Sequence, residues 1–149
     1  MGTKYQGTAA EIQALNAYIK LTRAANSLLD RTNHHLGGFG LTTSQFGVLE
    51  ALYHLGRLPQ VEISRKLLLS TANMTTVLQN LEKEGLVCRE RDTEDQRYIQ
   101  VSITDAGRTL IEKVLPAHVA GIVAELSVLT GEEQQTLAHL CRKLGLQGR

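Results

Sequence analysis

The chain has 149 residues, of which 42% are hydrophobic and only 4% aromatic, with no Trp and a formal net charge of +1. That length suits one domain or a closely joined pair, leaves no room for a second enzyme domain, and with so few aromatics calls for an interior of Leu, Ile, Val and Ala packed between helices. The charge lacks the strong positive field of a nonspecific nucleic-acid binder.

In chain order, Met1–Gln6 has no apolar core of a secretory signal, and no apolar run approaches the roughly 20 residues that cross a bilayer, so the expected compartment is the cytoplasm, with no membrane partner. Gln6 breaks the myristoylation pattern that Met1-Gly2 opens. Thr8-Ala9-Ala10-Glu11 is a capping box, in which hydroxyl and carboxylate satisfy amides left free at a helix start. Ile12, Leu15, Ile19, Ala24, Ala25, Leu28 and Leu29 recur at three and four, with Tyr18 and Leu21 widening the stripe. A helix greasy on two sides contacts two neighbours. Gly37-Gly38-Phe39-Gly40 ends it.

Thr42-Thr43-Ser44-Gln45 is a second capping box, opening a helix with Phe46, Val48, Leu49, Leu52 and Leu55 inward as far as Gly56. Leu58-Pro59-Gln60 is a short extended stretch, and Val61, Ile63, Leu67 and Leu68 form a third short helix. Ser70 is an N-cap for a fourth, whose inward positions Met74, Val77, Leu78 and Leu81 run to Gly85. Residues 86–103 switch to period two around the turn residues Asp92-Thr93-Glu94-Asp95, with Arg97, Ile99, Val101 and Ile103 on one face. Thr104 caps a long fifth helix carrying Ile111, Val114, Val119, Val123 and Leu126, with a kink expected at Pro116. Thr130-Gly131-Glu132-Glu133, a third capping box, starts a last helix with Leu137, Leu140, Cys141 and Leu144.

Three helices followed by an arginine-bearing hairpin give the order of a winged helix-turn-helix, a module that places one helix in a DNA groove. The fold expected is mainly α with a small β-wing. Residues 1–149 form a single chain, with 41–103 the winged helix-turn-helix between flanking helices at 8–36 and 104–146. Ser70, Thr71, Ala72, Asn73, Thr75, Thr76 and Gln79 form the candidate reading face. Asn73 and Gln79 suit paired bonds to adenine, Thr hydroxyls suit bases or phosphates, and Ala72 or Thr methyls suit thymine methyls. Arg97 is the candidate for a narrow minor groove, Arg89 and Arg91 for phosphates, and Asp95 for a structural pairing that holds the turn so that Arg97 points outward. Between Arg57 and Arg97 seven basic residues balance seven acidic ones, so a positive face has to come from folding. Against these readings stands the bland one, in which the helix face and the hairpin arginines are only solvated.

Leu41-Thr42-Thr43-Ser44-Gln45-Phe46-Gly47-Val48-Leu49, Val61-Glu62-Ile63-Ser64, Leu81-Glu82-Lys83-Glu84-Gly85-Leu86-Val87, Arg89-Glu90-Arg91-Asp92 with Asp95-Gln96-Arg97, and Ile103-Thr104-Asp105-Ala106-Gly107-Arg108 stand in order over some sixty residues. Together they resemble the MarR family of bacterial transcription regulators. The resemblance implies a homodimer in which the terminal helices, 8–36 and 104–146, interlock as dimerisation helices, a pseudo-palindromic double-stranded DNA operator, repression as the habitual outcome, and release by a small aromatic effector in a cleft near helices one, two and five. The chain departs from that pattern at Glu94, where the wing commonly has arginine, and at Thr76 and Asn80, where the recognition helix often has it. These departures predict modest affinity, steep salt sensitivity and an A/T-leaning site.

Alternatives within the same fold are a metal- or thiol-responsive regulator and a winged module that contacts protein. His34, His35, Tyr53, His54 and His118 are candidates to line a cleft or hold a metal, though histidines of this kind are more often helix-end caps or exposed, so no metal and no cofactor is expected. Cys88 and Cys141 lack CxxC and zinc-finger spacing, which implies neither disulfide nor zinc site, and both are expected as buried small hydrophobes. Absence of HExxH, GxSxG, P-loop and GxGxxG leaves an enzyme without support.

Overall fold

A computed structural model describes residues 2–146. Met1 and the last three residues of the 1–149 span lie outside them. The order is α1 (Ala9–Gly37), α2 (Thr43–Leu55), β1 (Leu58–Pro59), α3 (Gln60–Leu67), α4 (Thr71–Lys83), β2 (Val87–Arg91), β3 (Ile99–Ile103), α5 (Asp105–Leu126) and α6 (Gly131–Gly145). The mainly α fold with a small β-wing is the one expected.

The capping residues start their helices as their chemistry requires. Thr8, Thr42 and Thr130 each accept from the backbone amide three residues on, while Glu11, Gln45 and Glu133 reach back to the cap amide. Ser70 and Thr104 accept from Asn73 and Gly107. Glu84 closes α4, and Gly85 follows at φ 73°, a left-handed turn that lets Leu86 N donate to Leu81 O at 2.9 Å.

The sheet has the order β1-β3-β2, antiparallel throughout. The extended stretch Leu58–Pro59 is thus a strand in its own right, paired with Val101 and Gln100. Its second residue is a proline with no N–H to donate, which suits the edge it occupies. β3 begins at Ile99, so Arg97 and Tyr98, expected at the head of the strand, belong to the turn.

The core is one cluster beneath α2. Leu36 of α1, Val48, Leu49 and Leu52 of α2, Ile63 of α3, Met74, Leu78 and Leu81 of α4, Val101 of β3 and Ile111 and Val114 of α5 are all fully buried. Val61 and Leu68, read as inward, are 47% and 74% exposed, because an eight-residue helix over this core buries only Ile63. The cysteine expectation is also overturned, since Cys88 and Cys141 are both exposed. Cys88 lies on the outer face of the hairpin opposite Ser102, and Cys141 lies on α6, where no residue is buried. Pro116 is accommodated inside an unbroken α5. No single helix among the described residues is long and apolar enough to cross a membrane.

Where the hairpin returns to helix, the packing leaves no space. Thr104 N donates to Leu86 O at 3.1 Å and its hydroxyl to Gly85 O at 2.6 Å. A Cβ on the buried Gly107 would stand 2.2 Å from that same Leu86 O and 2.8 Å from Ile103 Cγ1. Gly107→Ala is therefore expected to displace α5 from the hairpin and to cost about 1–3 kcal/mol, read as a lowered midpoint of urea unfolding.

Candidate nucleic-acid interface

The turn between α3 and α4 is closed by Leu68, which sits at φ 54° and ψ 37°. An L-residue there costs roughly 1–2 kcal/mol, and in exchange Leu69 N reaches Ser64 O at 3.1 Å. Ser70 follows at once, its hydroxyl accepting from Asn73 N at 3.2 Å. Strained leucine and serine cap together set the direction in which α4 leaves α3.

With Met74, Leu78 and Leu81 buried and about 100° per residue, the line opposite the core is Ala72, Thr76, Gln79 and Lys83. Asn73 and Asn80 flank it on one side, Thr71 and Thr75 on the α3 side. Thr71, Ala72, Asn73, Thr76 and Gln79 are exposed and Thr75 is half-buried. The threonines are less free than their exposure suggests. Thr75 Oγ1 donates to Thr71 O at 2.9 Å and accepts from Gln60 Nε2 at 3.3 Å, while Thr76 Oγ1 donates to Ala72 O at 3.2 Å. Gln60, at the start of α3, was not singled out in the sequence, and only the fold brings it to Thr75. Among the described residues the amides of Asn73 and Gln79 have no such commitment.

The wing turn is organised by one carboxylate. Asp92 accepts from Glu94 N at 2.8 Å, Asp95 N at 3.1 Å and Gln100 Nε2 at 2.7 Å. These bonds hold its carboxyl below the usual aspartate value, the Glu94 amide first among them. Asp95 in turn accepts from Arg97 Nη2 at 2.7 Å, Nε at 2.9 Å and the backbone N at 3.1 Å. The hydrogen bond lowers the Asp95 pKa and raises that of Arg97. Arg97 nevertheless keeps 85% of its side chain in solvent, so Asp95 aims the guanidinium without covering it.

The other two arginines have different surroundings. Arg91 Nη1 donates to Gln96 O at 2.8 Å, bracing the turn from its first strand. Arg89, expected on the phosphate path, is engaged by Glu82 of α4 through Nε at 3.3 Å, Nη2 at 3.2 Å and its backbone N at 3.1 Å. Its side chain is only 19% exposed. The Arg89 hydrogen bond lowers the Glu82 pKa. This pair ties the root of the wing to the end of α4.

A cavity of about 220 Å³ lies away from this face, between the end of α1 and the C-terminal half of α5, lined by Arg31, Thr32, His35, His118, Ile122 and Glu125. His35 Nε2 and His118 Nδ1 are buried there without a hydrogen-bond partner. Burial pushes the His118 pKa down, and its ring packs on Phe46 at 4.2 Å between centroids. His35 and His118 thus come together, whereas His34 and His54 stay exposed. No group of three or more metal-ligating side chains occurs among the described residues.

The MarR family model matches residues 41–99. The HTH-type transcriptional regulator MhqR of Bacillus subtilis (strain 168) is 34% identical over 137 residues, covering 92% of this chain and 94% of that protein. Among solved structures, Sco3205, a MarR family transcriptional regulator from Streptomyces coelicolor solved in complex with DNA, superposes with a TM-score of 0.85 at 26% identity, over 97% of this chain and 92% of that one. Bordetella bronchiseptica BpsR, whose structure concerns regulation of its DNA binding by 6-hydroxynicotinic acid, gives 0.80 at 25% identity, over 87% and 98%.

A carboxyl with a depressed folded pKa stabilises its surroundings above the unfolded value, and the contribution is lost as pH falls through the folded one. The wing turn should therefore be ordered at neutral pH and loosen only in acid, with the Asp92 carboxyl titrating by NMR below its ordinary 3.8. Asp92→Asn should speed hydrogen exchange at the Glu94 and Asp95 amides while leaving that at Leu49 unchanged.

Proposed function

The chain belongs to the MarR family of transcription regulators, and from that premise we propose that it is a sequence-specific repressor that binds double-stranded DNA as a homodimer. The observation that carries the reading is the pairing of an exposed, uncharged α4 face with an arginine held 85% exposed at the wing tip. A major groove admits a helix and shows each base pair as a distinct pattern, and a narrowed minor groove attracts arginine. In this reading Ser70 and Thr71 meet phosphate, while Ala72, Asn73, Thr75, Thr76 and Gln79 face bases. Arg91 and Arg97 serve the wing. Arg89 acts mainly through Glu82, fixing the angle between helix and wing, and adds charge near the phosphates. Asp95 aims Arg97. Repression is the simplest outcome of a dimer occupying duplex that other proteins need.

Support for the dimer comes from the terminal helices. Val119 and Val123 of α5 are 49% and 64% exposed, and Leu137, Leu140 and Leu144 of α6 are 39%, 55% and 54% exposed. Two reading helices related by a twofold axis match half-sites about one DNA turn apart. The cavity at His35 and His118 supports an effector site for a single-ring molecule, being smaller than the roughly 300–1,000 Å³ of drug-sized pockets. Its two open imidazole nitrogens offer hydrogen bonds to a hydroxyl or carboxylate, and its walls come from α1 and α5, the helices on either side of the winged region in the chain.

Selection of bound duplexes from random DNA should enrich one pseudo-palindrome, and no enrichment would sink the reading. On the enriched duplex, Arg97→Ala should weaken binding and flatten the slope of log K against log salt by about one per site, with the unfolding midpoint unchanged. In a second test, Leu140→Asp combined with Leu144→Asp should convert a dimer to a monomer in analytical ultracentrifugation and abolish operator binding without altering α4.

A further inference from the structure

We propose that Ala72 and Thr76, with Thr75 beside them, recognise thymine through their methyl groups, the threonine hydroxyls acting as internal struts. The inference rests on α4 being the groove helix and concerns how that helix reads. A hydroxyl carries a single proton. That of Thr76 is committed to Ala72 O at 3.2 Å, and that of Thr75 to Thr71 O at 2.9 Å. Neither threonine can donate to adenine N7 or to guanine N7 and O6 without breaking a bond inside its own helix. Thr75 is engaged as an acceptor as well, by Gln60 Nε2 at 3.3 Å. That bond fixes the Gln60 amide with Nε2 toward the threonine, leaving its Oε1 buried and without a partner.

What Thr76 still offers the groove is its methyl and the lone pairs of its oxygen, which can accept only from adenine N6 or cytosine N4; what Ala72 offers is methyl alone. Ala72 and Thr76 are one turn apart on the line opposite the buried Met74 and Leu78, separated by about 6 Å along the axis, and both are exposed. Thymine is the base that offers a methyl in the major groove. Two protein methyls in file therefore select for thymines at neighbouring positions of each half-site. Gln79, farther along the same line, and Asn73, beside it, keep their amides for hydrogen bonding to adenine.

The test uses the full chain and the duplex enriched from random DNA, with each thymine replaced singly by deoxyuridine, which removes the methyl and nothing else. At one or two positions per half-site affinity should fall about threefold to fivefold, the factor for one methyl taken out of water. Thr76→Val, which keeps the methyl and deletes the hydroxyl, should bind the thymine duplex within about twofold of the parent and retain the deoxyuridine penalty. Thr76→Ser, which keeps the hydroxyl and deletes the methyl, should lose the same factor and show no further penalty with deoxyuridine. Circular dichroism melts confirm that both variants fold. A tight-binding serine variant beside a weak valine variant, or deoxyuridine without effect at every position, overturns the methyl readout while leaving the regulator reading intact. Failure to enrich any duplex overturns both.

Discussion

Everything that faces outward in this molecule hangs on the junction around Thr104. One side chain and its backbone amide bind Gly85 O and Leu86 O where α4 passes into β2, and the same hydroxyl caps α5 by accepting from Gly107 N at 3.1 Å. The end of α4, both strands of the wing and the start of the long fifth helix thus share a few atoms. Because interiors are close-packed and elastic strain has nowhere to dissipate, a movement of α5 is felt by α4 and the wing together. The proposed effector cavity between α1 and α5 adjoins the helix through which such a movement would pass.

The balanced charge of the 57–97 region conceals an arrangement that neutralises selectively. Glu82 is turned onto Arg89, Asp95 onto Arg97, and Asp92 onto amides of its own turn. The acids serve as fasteners, and each has its pKa lowered by the group it fastens. A composition count treats them as repulsion toward phosphate. The geometry makes them the scaffold that orients the wing and the end of α4, and such short-range ordering survives salt better than an open field does.

Features decided within a few residues were legible in the chain: three capping boxes, the serine cap of α4, the glycine after it and the turn chemistry of the wing. Each is a local contest between side chain and backbone for the same hydrogen bonds. Features decided by distant partners were not. Leu58–Pro59 becomes a strand only because Val101 and Gln100 lie alongside. Arg89 meets Glu82 across a helix-to-strand turn, and Gln60 finds Thr75 across the helix-turn-helix. The cysteines were misjudged because a thiol's burial depends on whether its helix or strand face is covered, and neither face is covered within one chain.

Arg97 enters any encounter already wearing a carboxylate. A pair this open to solvent is worth only about 0–1 kcal/mol, so the guanidinium is given a direction rather than a lock. In the proposed reading it can let go of its carboxylate on meeting a stronger field at almost no cost, an arm kept extended and ready to release.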